Sequence, residues 1–129
     1  MPIFNPGDIY AILCSYINPN HEKYSICINQ ERALFFWINT DPRFSRQKAQ
    51  LLITTNDISV LKHDSYIDTG QLFTFPPDDL KTARHLEQLT KRVRNMIIDI
   101  ISKHNHLTPN QEKMVSVALG VPLKQKVII

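Results

Sequence analysis

The sequence predicts one α+β domain, in which a small, mostly antiparallel sheet comes first and helices follow. Its 129 residues are enough for one compact core. Short apolar patterns typical of strands fill residues 6–75, whereas capped, helix-like patterns begin after Pro76 and Pro77. Because strands come first and helices last, the helices are expected to pack on one side of the sheet.

Six strands are expected before the two prolines. Residues 8–16 carry apolar side chains on both faces, which indicates a strand buried on two sides. After a polar loop the second strand covers residues 24–28, and the third covers the aromatic-rich residues 33–38. The other predicted strands are residues 50–54, 66–68 and 71–75, with a short helical turn within residues 55–61.

A long helix is expected over residues 78–104, with Asp78 or Asp79 as its N-cap. Its apolar residues recur at spacings of three and four: Leu86, Leu89, Val93, Met96, Ile97, Ile100 and Ile101. Its other face has an excess of four positive charges, from Lys81, Arg84, Lys91, Arg92, Arg94 and Lys103 against Glu87 and Asp99. This face either lies along a phosphate backbone or is an ordinary solvated helix surface.

A second, short helix is expected over residues 108–120. Thr108 is a good N-cap, Pro109 suits the first helical position and Gln111 completes a capping box. Gly120 closes the helix. The apolar tail, residues 127–129, either adds an edge strand or stays loose.

The composition excludes several classes of function. No apolar run is long enough for a membrane span, and residues 1–7 do not resemble a secretory signal, so we expect a cytoplasmic protein. Cys14 and Cys27 lie in apolar runs and are expected to be reduced, buried thiols rather than zinc ligands. The three glycines form no phosphate-binding motif, and we expect neither metal nor cofactor. The net charge of +3 permits a polyanionic partner.

Two loops carry residues suited to acid–base chemistry. His21 and Lys23, with Glu22 between them, offer a proton acceptor or donor and a cation. Lys62 and His63 precede Ser65 just before a predicted strand. The alternatives are a solvated charged loop at residues 21–23 and a self-capping turn at residues 62–66.

The end of the third strand carries residues suited to nucleic-acid binding. Thr40 with Arg43 and Arg46 suits a phosphate, because a guanidinium binds phosphate with two parallel hydrogen bonds. Among the consecutive aromatic residues before them, at least one must face away from the main core, so Trp37 is a candidate for stacking on an unpaired base. A plain turn with two surface arginines is the alternative.

The segment from Pro6 to Tyr10, followed by an apolar strand, a polar loop, a second strand and a strand ending at Thr40, resembles the PemK/MazF family of toxin endoribonucleases. The similar order of elements covers residues 6–101. The resemblance implies a small SH3-like barrel followed by helix, a homodimer, an antitoxin partner and metal-independent cleavage of single-stranded RNA. Thr40 matches the family's phosphate-positioning hydroxyl residue, whereas the family's loop arginine has only Lys23 near its place.

Three functional hypotheses follow. In the first, a toxin-type endoribonuclease uses His21 and His63 as acid and base, Lys23 to stabilise the phosphorane, and Thr40 with Arg43 to position the phosphate. Arg46, Trp37 and Lys62 would add RNA contacts. In the second, the same barrel is a non-catalytic module that binds nucleic acid or protein. In the third, the apolar stripe of the long helix pairs subunits.

Overall fold

A computed structural model describes residues 3–126 of the chain. The strands are β1 (Asp8–Cys14), β2 (His21–Asn29), β3 (Leu34–Asn39), β4 (Gln50–Ile53), β5 (Ser65–Asp68) and β6 (Arg84–Gln88). The helices are α1 (Pro77–Leu80), α2 (Lys91–Ile101) and α3 (Pro109–Leu119), and a kinked 3-10 segment spans Phe44–Ala49. The expectation of an edge strand at residues 127–129 falls outside the described residues.

The strands form one six-stranded sheet in the order β4-β5-β3-β2-β1-β6, and every neighbouring pair is antiparallel. The predicted α+β class is therefore confirmed. Within residues 3–126 the sheet is open, with β4 and β6 as its edges. The first five predicted strands correspond to β1 through β5 with shifted ends, and residues 55–61 form hydrogen-bonded turns around the Asp57 side chain.

The prediction of a sixth strand at residues 71–75 is wrong, because this segment makes only an isolated bridge between Phe73 and Phe35. The side chains of this segment cover the sheet instead of extending it. Phe73 stacks flat on Trp37 at 3.9 Å between ring centroids, and Phe75 meets Phe35 edge-on at 5.4 Å.

The prediction of one long helix over residues 78–104 is also wrong. This segment is divided into α1, the edge strand β6 and α2. Asp79 does not cap a long helix, because its buried carboxylate accepts hydrogen bonds from the Ser15 N–H and hydroxyl. Thr90 is the N-cap of α2, accepting from the Val93 N–H. The capping signal of Thr90 lay inside the pattern that predicted one continuous helix.

Dividing this segment breaks up the predicted basic helical face, of which Lys91 and Arg92 remain exposed at the start of α2. Arg84 lies on β6 and pairs with Glu22, whereas Arg92 pairs with Asp57 and Lys103 with Asp99. Three residues of the apolar stripe, Val93, Ile97 and Ile101, are buried against the sheet of the same chain, so these side chains are not available to pair subunits.

Both faces of the sheet are covered. Phe36 and Ile38 point from β3 into a core shared with α2 and α3, while Phe35 and Trp37 point into a second core on the other face. The two cysteines lie in the second core as free, buried thiols, as expected. Burial raises the pKa of Cys27 to about 12.

The short C-terminal helix is confirmed. Thr108 and Gln111 form the predicted capping box, and Gly120 ends α3 in the left-handed conformation at φ 67°.

Arg94 joins α2 to both β1 and α3. Its guanidinium donates to the carbonyl oxygens of Leu89 (3.0 Å), Leu119 (3.2 Å) and Gly7 (3.3 Å). Gly7 has φ 86°, and a Cβ there would lie 2.5 Å from the Arg94 Nη2. The backbone conformation therefore favours glycine at position 7, and a side chain there would displace the Arg94 guanidinium from its carbonyl partners.

Gly7→Ala is expected to lower the free energy of unfolding by about 2–4 kcal/mol, because backbone strain adds to the loss of the hydrogen bonds of the displaced Arg94 guanidinium. Gly120→Ala is the matched control: its φ is also positive but no atom lies within 4 Å of the new Cβ. That variant should lose only the conformational part, about 1–2 kcal/mol. Urea unfolding of both variants measures the difference, and equal losses would contradict the role of Arg94.

His104 joins the end of α2 to the loop after β5. Its Nδ1 accepts from the His106 N–H, so its Nε2 donates to the Thr69 hydroxyl, which donates to the Ala49 carbonyl. The imidazole is buried, and this burial lowers the pKa of His104 to about 4.

The folded protein should consequently lose stability in mild acid. An unfolded histidine gains its proton near pH 6.5, whereas folded His104 stays neutral until about pH 4. The stabilisation is complete above pH 6.5 and decreases between pH 6.5 and pH 4, by about 3 kcal/mol in total. Urea midpoints across this range should show a shallower decrease for His104→Gln. The control His21→Gln, at an exposed imidazole that is not among the charges acting on His104, should keep the wild-type pH dependence.

Candidate functional site

A cleft of about 240 Å³ brings together residues that the sequence predicted in three separate loops. It is lined by all four predicted catalytic residues and one of the predicted RNA-binding residues: His21, Lys23, Thr40, His63 and Lys62.

Strand pairing explains why these residues meet. In the antiparallel pair of β2 and β3, Tyr24 faces Ile38, so the start of β2 lies beside the end of β3. β5 pairs with β3 with Asn39 facing Tyr66, so the start of β5 lies beside the same end. The segments that precede β2, follow β3 and precede β5 therefore open onto one edge of the sheet.

Both histidines of the cleft are held by a backbone carbonyl. The Nδ1 of His21 lies 3.1 Å from the Pro19 oxygen, and the Nδ1 of His63 lies 3.1 Å from the Asp64 oxygen. Because a carbonyl only accepts, each Nδ1 donates its proton, and the Nε2 of each neutral ring is left as an acceptor. Two such imidazoles provide a base and, when one is protonated, an acid.

Ser65 is unsuited to be a nucleophile. Its hydroxyl is buried and donates to the His63 carbonyl at 3.2 Å, while the His63 Nδ1 lies 3.4 Å away. The buried Ser65 side chain lines the cleft, and its hydrogen bond to the His63 carbonyl stabilises the turn that precedes β5.

Lys23 lines the cleft, but its ammonium group points to the other face of β2. The Nζ donates to the Asn39 side-chain oxygen at 2.5 Å and lies 5.0 Å from the centre of the Trp37 ring. Burial, together with the nearby charge of Arg43, lowers the pKa of Lys23. Contact with a phosphate in the cleft requires another rotamer of Lys23.

The predicted RNA-binding residues fall into two groups. Arg43 and Lys62 are exposed at the same end of the sheet. Trp37, by contrast, is only 4% exposed and is covered by Phe73 and Lys23, so stacking on a base is excluded in this conformation. The cover over Trp37 comes from residues distant in sequence, which the strand pattern did not reveal.

Arg46 is a structural residue rather than a phosphate ligand. Its Nε and Nη2 donate to Asp68, with the Nη2 at 2.6 Å, and the Asp68 side chain is completely buried. Asp68 also accepts from the Gln50 amide and the Gly70 N–H, so Arg46 completes a network that holds the 3-10 segment on β5.

The sequence predicts Arg84 on a helix, but this residue lies on β6, with its side chain beside the start of β2. Arg84 on β6 donates to both carboxylate oxygens of Glu22, at 2.8 and 3.2 Å. This hydrogen bonding lowers the pKa of Glu22 and keeps its carboxylate ionised. The 62 residues that separate the partners left no sequence signal for the pair.

Neither a scan against protein-family models nor a search of curated proteins finds a match to this chain. Across residues 3–126 no three histidine, cysteine or carboxylate side chains are arranged to hold a metal ion. No helix in this part of the chain is both long and apolar enough to cross a membrane.

Substituting the two arginines should separate their roles. Arg46→Met leaves the buried Asp68 carboxylate without its charged partner, so the free energy of unfolding should fall by about 3 kcal/mol or more. Arg43→Met removes an exposed side chain that forms no ion pair within residues 3–126, and it should change the free energy of unfolding by less than about 0.5 kcal/mol. Urea unfolding of both variants measures this; similar losses would show that Arg43 is also structural.

Proposed function

We propose that the chain is a metal-independent endoribonuclease that cleaves single-stranded RNA, of the PemK/MazF toxin type. The observation that carries the proposal is the meeting, in one cleft, of His21 at the start of β2 and His63 before β5, which are 42 positions apart in sequence. Both imidazoles are oriented by carbonyl oxygens so that their Nε2 atoms are free for proton transfer.

The reaction needs only a base, an acid and stabilisation of charge. One neutral imidazole takes the proton of a ribose 2′-hydroxyl through Nε2, and the 2′-oxygen attacks the adjacent phosphorus. The second imidazole, protonated, gives its proton to the departing 5′-oxygen. The products are a 2′,3′-cyclic phosphate and a 5′-hydroxyl, and the two histidines have exchanged protonation states.

Cations and a hydroxyl at the same edge support phosphate binding. Thr40 lines the cleft as an exposed hydroxyl, and Arg43 and Lys62 are exposed beside it without ion pairs among the described residues. Charged donors at this place stabilise the additional negative charge of the phosphorane. RNA is the proposed substrate because DNA lacks the 2′-hydroxyl that must attack.

The likeness to PemK/MazF toxins extends the proposal to partners. The meander of β1, β2 and β3 supports kinship with an SH3-like barrel, although the described sheet is open. On that basis we propose a homodimer and an antitoxin that blocks the cleft, in a cytoplasmic toxin–antitoxin system.

A second candidate is a module that binds single-stranded RNA without cleaving it. The position of the Lys23 ammonium favours this alternative, because it is held by Asn39 and Trp37 on the face away from Tyr24. The cleft would then keep its phosphate-binding groups and lack a cation placed for the phosphorane.

His21→Ala and His63→Ala are each expected to lower kcat/KM on single-stranded RNA by about 100-fold or more, because each removes a proton-transfer group. Purified protein is assayed in excess EDTA, with the cyclic phosphate product identified by mass spectrometry. The variant without the base should lose the acidic limb of the pH profile, and the variant without the acid the basic limb.

The control is His106→Ala, an exposed histidine outside the cleft, which should cleave like the wild type. The same sequence as DNA should remain intact. Binding of RNA by the wild type without any product, unchanged in the two cleft variants, would establish the binding module. Neither binding nor cleavage would refute both candidates.

A further inference from the structure

Phe44 places an aromatic ring in solvent at the end of the sheet that carries the cleft. It is 86% exposed, whereas Phe35 and Phe36 on β3 are completely buried. A large apolar side chain in this position contributes nothing to the core of the described chain. The sequence predicts a stacking role for Trp37, which is buried, and Phe44 is the exposed aromatic residue nearest to it along the chain.

The backbone on both sides of Phe44 is fixed. The Arg43 N–H donates to the Gln50 side chain at 3.1 Å, and the Arg46 N–H donates to the Arg43 carbonyl at 3.1 Å. The Arg46 guanidinium is itself held by the buried Asp68. The ring of Phe44 therefore projects from an ordered segment, which lowers the entropic cost of binding a flat ligand.

The surroundings of Phe44 suit a polyanion. Arg43 precedes it, and Lys48 follows on the same 3-10 segment; both side chains are exposed and neither forms an ion pair among residues 3–126. Thr40 lies four positions earlier, so chain connectivity alone keeps the two Cα atoms within about 14 Å. A strand whose phosphate lies at Thr40 can reach the ring with a neighbouring base.

We propose that Phe44 is a stacking platform for an unpaired base of the RNA strand whose phosphate occupies the cleft. This inference rests on the proposed binding of single-stranded RNA and adds the residue that recognises a base next to the bound phosphate. An aromatic face is tolerant of sequence, because every base offers a π-surface, and stacking contributes about 1–3 kcal/mol per base. A cation beside an aromatic ring is the combination that single-strand binding proteins use.

The test measures the Kd of a short, fluorescein-labelled oligonucleotide by anisotropy. All its 2′-hydroxyls are methylated, so the wild type binds it without cleaving it. Phe44→Ala should raise the Kd by about 5- to 150-fold, whereas Phe44→Trp should restore binding. The matched control is Val117→Ala, since Val117 is 75% exposed on α3, beside the far end of β2.

Further measurements distinguish the loss of base stacking from a general loss of affinity for the strand. Phe44→Ala should leave the dependence of log Kd on log salt unchanged, whereas Arg43→Met should reduce its slope by about 0.7 for one lost phosphate contact. In Phe44→Trp the new exposed indole should lose fluorescence on binding, which buried Trp37 cannot do. On an abasic strand, wild type and Phe44→Ala should bind equally.

Each contrary outcome has a defined meaning. If the wild type binds the oligonucleotide and Phe44→Ala binds it equally well, the stacking role is refuted while the proposed function stands. If Phe44→Ala changes only the oligomeric state in light scattering, the ring belongs to a protein interface and the inference is wrong. If the wild type binds no RNA, the proposed function and this inference fail together.

Discussion

The central strand β3 has large apolar side chains on both faces, and the rest of the chain is arranged to cover them. Phe36 and Ile38 require a cover on one side, and Phe35 and Trp37 require one on the other. The helices α2 and α3 satisfy the first requirement. The second requirement is met by Leu80 of α1 and by Phe4, Phe73 and Phe75 from irregular segments. Both faces of β3 are thus closed to a ligand, and its end at Thr40 is open.

How much could be predicted from the sequence differs between local and distant interactions. The signals at Thr108, Gln111 and Gly120 are local hydrogen-bonding patterns, and they located α3 within a residue. The helix predicted over residues 78–104 failed because residues 84–88 gain more from pairing with β1 than from helical hydrogen bonds. That partner lies more than 70 positions away, so periodicity within the segment could not reveal it.

The candidate site shows the same difference between local and distant interactions. His21, Lys23, Thr40 and His63 were selected for their chemistry, which sequence displays directly. Their meeting depends on the pairing of β5 with β3, in which the buried Ile38 and Ile67 lie opposite each other. The errors have the same origin: Arg46 found a buried partner in Asp68, and Trp37 was covered by Phe73. Both partners are remote in sequence, and no local pattern marks either of them as a partner.

The distribution of paired and unpaired cations explains why the end of the sheet, rather than a helix, is the electropositive candidate. On β6 and α2, Arg84 and Arg92 pair with carboxylates and Arg94 is bound to carbonyl oxygens, which leaves Lys91 as the exposed cation of α2 without an ion pair among the described residues. Lys23 and Lys62 line the cleft, Arg43 and Lys48 belong to the segment that follows β3, and none of these four cations has a carboxylate partner among the described residues. Neighbouring cations repel one another: in addition to burial, the charge of Arg43 lowers the pKa of Lys23. A bound phosphate would relieve this repulsion, so anion binding and the local stability of this edge are coupled.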